Sequence, residues 1–234
     1  MFQKILAKNL LSFNIPNIDK LFLGFTEGDF AALYGMSTAL SLSFLLAMRA
    51  QLPFQLGGLE TNVVFIDGGN TFKLYEVSRI AQLHELNPRQ VLERIYVSRA
   101  FTAYQLTSLI LEKLKETVDR LGSKLVIISD MADLFSDKDI PRKEALEVFN
   151  QLTLHLSRFA EENQLIAIAT FLPKYNSRRD SFLRSVLFGR ARVVMSVNPT
   201  KFGQRLILEK HPTFNLGYAG FPSENLTLDQ FMEA

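Results

Sequence analysis

At 234 residues the chain is long enough for one substantial α/β domain, and 47% hydrophobic with 21% charged residues supply an ordinary core and surface. A formal net charge of +2 is too small to mark a general nucleic-acid binder, so any basic surface has to be local. The absence of cysteine excludes disulfides, thiolate metal sites and a cysteine nucleophile, and His84, His155 and His211 have no metal-ligand spacing, so no metal site is expected.

No secretory signal opens the chain, because Lys4 and Lys8 interrupt any apolar core. Phe30 to Met48 carries no charge over 19 residues, the bare length of a membrane span. Yet Ser37, Thr38, Ser41, Ser43 and Gly35 lie inside it, and Asp29 and Arg49 bound it closely. A strand at 30–34 followed by a buried helix explains it better. The expected protein is soluble, with no membrane partner, and cytoplasmic, or nuclear if eukaryotic.

From there strand and helix alternate, the signature of a mostly parallel sheet with covering helices. Residues 61–67 form a short apolar run bounded by Gly68-Gly69, and 71–86 read as helix with Leu74, Val77, Ile80, Ala81 and His84 near one face. Asn87-Pro88 opens a short helix through Glu93, since proline suits the first helical position. Strand 95–98 precedes a long amphipathic helix, 103–121, stopped by Gly122. The run 124–130 is a buried strand ending on Asp130; 141–163 is a second long helix, and 165–170 another buried strand. Residues 192–197 and 205–209 flank a turn at Thr200-Lys201-Phe202-Gly203, a hairpin. No repeat or linker interrupts the chain, which reads as one domain, 1–234, with an N-terminal segment at 1–20.

The segment between the first strand and its helix, Gly35-Met36-Ser37-Thr38-Ala39-Leu40-Ser41-Leu42, occupies the context in which G-x-x-x-x-G-K-[ST] cradles phosphates. Leu40 stands at the second glycine, Ser41 at the lysine and Leu42 at the magnesium-binding hydroxyl. A side chain therefore fills the space where backbone N–H groups approach phosphate, nothing neutralises the β/γ charge, and no oxygen is offered to Mg²⁺. Gly35 alone is equally a glycine ending a buried strand.

Four ordered segments resemble the RecA/RadA recombinase superfamily, in particular its archaeal and eukaryotic RadA-type branch. Residues 87–101 (NPRQVLERIYVSRAF) are similar to L-x-P-x-x-V-L-x-x-I-Y-V-x-R-A-F, and 65–72 (FIDGGNTF) to I-D-T-E-G-T-F. The strand ending on Asp130 resembles Walker B, with Asp133-Leu134-Phe135 following it, and 211–221 resembles the C-terminal S-P-x-L-P-E-G-E-A-x-F. The resemblance spans roughly residues 15–234 and implies a RecA-like α/β core, a mostly parallel central sheet flanked by helices with a C-terminal β-hairpin.

It also implies three losses. The family's catalytic glutamate falls on Gly69, which has no group to orient water. The γ-phosphate-sensing T-N-Q reads Thr170-Phe171-Leu172. Together with Leu40, Ser41 and Leu42 this predicts a pseudo-ATPase with no nucleotide cofactor. Asp130 is either a surviving magnesium-binding carboxylate or a strand-end residue that caps a neighbouring turn or pairs with a cation.

The family's two single-stranded-DNA loops fall at Ser136–Lys143 and 172–184. The first offers Arg142 and Lys143; the second offers Lys174, Arg178, Arg179 and Arg184, with Tyr175 and Phe182 interleaved. Residues 174–192 hold six basic side chains against Asp180 alone. Cations for phosphate and aromatics for bases suit single-strand binding; a solvated basic loop is the alternative. The small N-terminal helical domain and an F-x-x-A polymerisation motif are not recognised. That fits an accessory paralogue in a hetero-oligomer with a RadA-type recombinase or another paralogue, with Phe2, Ile5, Leu10 and Phe13 as docking elements or as cover for the domain's own core. The competing expectation is a scaffold subunit of another RecA-like assembly that binds no DNA.

Overall fold

The computed structural model describes residues 10–35, 37–174, 177–201 and 203–221. Six parallel strands form its centre: β3 (Phe30–Gly35), β4 (Val63–Asp67), β5 (Ile95–Arg99), β6 (Leu125–Ser129), β7 (Ile166–Phe171) and β8 (Val193–Thr200), in the spatial order β8-β3-β7-β6-β4-β5. Strands β9 (Gly203–Lys210) and β10 (Gly217–Phe221) extend the sheet antiparallel beyond β8. The predicted hairpin is thus β8–β9, with longer strands than the sequence implied; β10 is an addition. Phe202, in its turn, lies outside the described residues. A separate small pair, β1 (Leu10–Leu11) with β2 (Phe25–Thr26), flanks helix α1 (Pro16–Leu21), and no periodicity announced it.

The inner strands are buried on both faces, which is why they read as continuous apolar runs. Along β3, Ala31 and Leu33 face one core and Phe30 and Ala32 the other. The first core takes α2 (Ser37–Arg49), α3 (Leu74–Leu83) and the N-terminal elements; the second takes α5 (Ala103–Ser108), α6 (Leu114–Leu121), α7 (Arg142–Glu162) and α8 (Arg178–Arg190). Helix α4 (Pro88–Glu93) is capped by Asn87, whose side chain accepts from the Arg89 and Gln90 amides. Phe13 is fully buried in the first core, so it covers its own domain; Leu10 lies in β1, and Phe2 and Ile5 fall outside the described residues.

Three local departures from the sequence reading have physical causes. Helix α3 starts at Leu74 rather than Thr71 because the Asp67 carboxylate takes the Thr71 and Phe72 amides (2.8 and 3.2 Å), holding 71–72 as a loop. The helix expected over 103–121 contains a π-helical turn, Leu109–Lys113. Its buried Leu106, Ile110, Leu114 and Val118 recur every four residues, slower than the α-helical period of about 3.6, and the wider turn returns them to one face. The expected loop over 172–184 ends early, because α8 begins at Arg178. Ser177 caps it, accepting from the Asp180 amide (3.1 Å) and donating to the Asp180 carboxylate (2.9 Å).

Candidate functional site

The C-terminal ends of β3, β4, β6 and β7 gather nearly all the residues singled out above. Gly35 closes β3 at φ +129°, and a Cβ there would lie 2.3 Å from the Val197 carbonyl of β8. Close strand packing alone therefore demands glycine. Helix α2 starts at Ser37, leaving only Met36, outside the described residues, between strand and helix. Leu40 and Leu42 are buried in the first core, and the half-buried Ser41 hydroxyl donates to Glu76 of α3. These three side chains knit α2 into the interior and to its neighbouring helix.

Gly69 packs against Asp130: a Cβ added there would meet the Asp130 Cβ at 2.6 Å and Thr71 Cγ2 at 3.0 Å. Asp130 itself has φ +42°, its amide donates to Thr170 Oγ1 (2.8 Å), and its carboxylate accepts from the Leu172 amide (3.1 Å). It therefore holds the chain leaving β7. Burial pushes its carboxyl up to about 7; Asp133 and Asp180 act in the same direction, and the Leu172 amide and Lys174 against it.

The hub of this region is a residue to which the sequence reading gave no role. Asp67, fully buried, accepts from the Thr71 and Phe72 amides, from the Thr71 and Ser129 hydroxyls (3.2 and 2.9 Å), and from Arg99 Nε (3.1 Å). Register sets this: Asp67 lies opposite Arg99 on β5 and Ser129 on β6. A carboxylate ending an otherwise apolar strand was the available signal. Among the described residues no group of three or more His, Asp or Glu side chains is placed to hold a metal ion, and no helix is long and apolar enough to cross a membrane.

The basic residues assemble beside this end of the sheet, but several are committed to internal contacts. Arg179 donates to the Asp137 and Ile140 carbonyls (2.7 Å to the latter), stapling the loop before α7 to α8. Lys174 pairs with Asp133 at 2.6 Å. Arg142, in the first turn of α7, stacks over Phe182 at 4.3 Å. Arg184 donates to the Tyr34 hydroxyl (3.0 Å). Lys143 makes only a solvent-exposed pair with Glu147 (3.8 Å), and exposed Arg178 has no ion pair among the described residues. Tyr175 lies outside the described residues. Buried Asp180 ties the two segments together, accepting from Ser136 Oγ (2.8 Å) and the Lys174 amide (2.7 Å). Between them opens a cavity of about 400 Å³ lined by Tyr34, Phe171, Lys174, Arg178, Asp180 and Arg184. It presents three cations against one fully hydrogen-bonded carboxylate, an arrangement suited to anions.

Comparison with known proteins agrees with this architecture. The Rad51 family model matches residues 12–175. The meiotic recombination protein DMC1 of Saccharomyces cerevisiae is 30% identical over 134 residues, 56% of this chain and 39% of that protein. The DNA repair and recombination protein RadA of Methanocorpusculum labreanum is 29% identical over 178 residues, 67% of this chain and 54% of that protein. The chain thus spans about half the length, or less, of these curated relatives.

Proposed function

The chain belongs to the Rad51 family, and we propose that it serves DNA recombination or repair as a non-hydrolysing accessory member that works beside a RadA-type recombinase or another paralogue. The observation carrying this reading is that the phosphate-loop position is built into the protein's own interior. Leu40 and Leu42 belong to the core and Ser41 is bonded to Glu76. Ser41 stands at the position that the resemblance gives to the phosphate-loop lysine, whose charge would face the β/γ-phosphates. Gly69 offers no base, and the Asp130 carboxylate holds the Leu172 amide. A nucleotide and its magnesium do not fit this set of groups, so no hydrolytic step is assigned to it.

In this reading the remaining activity is binding. Exposed Arg178 and Lys143, with the outward edges of Lys174, Arg184 and Arg142, take the phosphates of single-stranded DNA, while Arg179 positions the surface without touching it. Affinity is modest alone and rises when a partner supplies an adjacent site. A specific observation favours the second reading, a scaffold without DNA contact: Lys174, Arg179 and Arg184 already have protein partners.

Purified protein titrated with Mg·ATP by calorimetry is expected to show no binding, and titrated with fluorescent oligothymidylate it is expected to bind with a log K against log salt slope of roughly −1.5 to −3.5, from about two phosphates if only Arg178 and Lys143 engage to about five if all the named cations do. Micromolar Mg·ATP affinity would overturn the non-hydrolysing reading. Absence of oligonucleotide binding at low salt would put the scaffold reading first.

A further inference from the structure

Arg49 is the most deeply buried cation among the described residues, at 2% exposure, and nothing above uses it. It ends the 13-residue helix α2, about 20 Å from the β3–α2 junction, and so lies at the opposite end of the sheet. Its Nε donates to the Ser12 carbonyl (2.7 Å), and Nη2 to the Ser12 hydroxyl (3.3 Å) and the Leu56 carbonyl. Of its five N–H groups, the two on Nη1 have no acceptor among the described residues, and no described carboxylate is in ion-pair contact with it. Asp19 acts on it only at longer range. The Asp19 Oδ1 atom is itself buried without a hydrogen-bond partner, and burial raises that carboxyl to about 6.

This under-compensated guanidinium lines a cavity of about 470 Å³, together with Asn14, Gln55, His84 and the apolar Leu52 and Leu86. That volume falls in the range of small-molecule sites, roughly 300–1,000 Å³. Burying a cation without a close counter-charge is costly. An anionic head group would supply both the missing acceptor for Nη1 and a counter-charge closer than Asp19, and the leucines would cover a short apolar body. We propose that this cavity is a binding site for a small oxyanion, a carboxylate or phosphate head on a partly apolar ligand, received by Arg49 and His84.

The three groups that set the local charge come from separate elements: Asp19 from α1, Arg49 from α2 and His84 from the C-terminal cap of α3. Burial and the Arg49 charge hold the His84 imidazole below its ordinary 6.5. A bound anion favours the imidazolium and works against both effects. The histidine is therefore a built-in reporter, with His155 and His211 as internal controls.

The test is an NMR pH titration of the three imidazoles in the full chain, with added sodium hexanoate, sodium acetate or inorganic phosphate against sodium chloride at equal ionic strength. Occupancy at millimolar concentration is expected to raise the His84 pKa by about one unit and to leave the other two unmoved. Hexanoate is expected to act at several-fold lower concentration than acetate. A response to phosphate alone assigns a phosphate ligand, and a response to the carboxylates alone a carboxylate ligand; either supports the site. Gln55→Glu, on an exposed side chain, places a carboxylate at the cavity mouth. It is expected to raise the His84 pKa unaided and to abolish the response. Arg49→Met is expected to abolish it too; because Arg49 also holds two backbone carbonyls, Gln55→Glu decides the matter where that variant does not fold. The proposal is overturned if about 20 mM of every probe, above fragment-strength dissociation constants of about 1 mM, moves His84 no further than chloride does. It is equally overturned if the shift survives in Gln55→Glu.

Discussion

Asp130→Asn is expected to stabilise the protein at neutral pH and above. Asp130 is 8% exposed, and burial raises its carboxyl from 3.8 to about 7. In the unfolded chain the group ionises near 3.8, so between that pH and about 7 the folded state holds a proton that the unfolded state has released. Stability is therefore full below about pH 4, falls as pH rises, and above about pH 7 has lost up to about 4 kcal/mol at about 1.4 kcal/mol per unit. Partial relaxation of the site brings the usable figure to roughly 2–4 kcal/mol. Asparagine keeps an oxygen for the Leu172 amide, carries no charge to desolvate, and tolerates the left-handed backbone that φ +42° requires. At about 2–4 °C per kcal/mol for a chain of this size, the melting temperature is expected to rise by roughly 4–16 °C at pH 8 and to change little at pH 4. Circular-dichroism melts at pH 4, 6 and 8 measure this. An equal or lower melting temperature for the variant at pH 8, or a gain of the same size at every pH, would refute the reasoning. Magnesium that stabilises the wild type and not the variant would instead make Asp130 a metal ligand.

Three further outcomes are expected. On the non-hydrolysing reading proposed above, Ser41→Lys restores only one of several missing groups, so with Leu40 and Leu42 still in the core and glycine at position 69 a phosphate-release assay should show no ATP turnover. Gly69→Ala should destabilise by about 1–3 kcal/mol, because its Cβ would sit 2.6 Å from that of Asp130; a denaturant midpoint equal to wild type would show that the two segments part easily. Arg178→Ala should weaken oligothymidylate binding with an unchanged melting temperature. Arg179→Ala should instead lower the melting temperature, since the Asp137 and Ile140 carbonyls lose their donor; equal effects of the two variants on both readouts would erase the distinction drawn between them.

Much of the architecture was legible because each inner strand is buried on both faces. Leu125–Ile128 and Ile166–Ala169 have no exposed side chain, so they appear in the sequence as uninterrupted apolar runs between amphipathic helices. Leu40, Ser41, Leu42 and Gly69 were singled out from residue identity at fixed spacing, and the fold adds what they touch: the first core, Glu76 and Asp130. The start of α8 was available in Ser177-Arg178-Arg179-Asp180, a capping pattern that the resemblance to a DNA-binding loop at 172–184 outweighed. The small β1–β2 pair left no trace, since two-residue strands have no period.

What only the tertiary structure decided is how residues far apart in the chain divide the available partners. Residue type made Lys174, Arg178, Arg179 and Arg184 equivalent cations; packing made Arg179 a staple between two segments and left Arg178 exposed. Strand register, invisible in any one segment, set Asp67 opposite both Arg99 and Ser129 and made it the hub of the site. The same holds for Arg49, which reads as the charged end of a helix until Ser12 and Leu56 fold over it at the edge of a cavity and take Nε and Nη2 but not Nη1. Composition and periodicity fix which side chains turn inward, because hydrophobic burial depends on local pattern; hydrogen bonds and charge pairs depend on distance through space, which the fold alone determines.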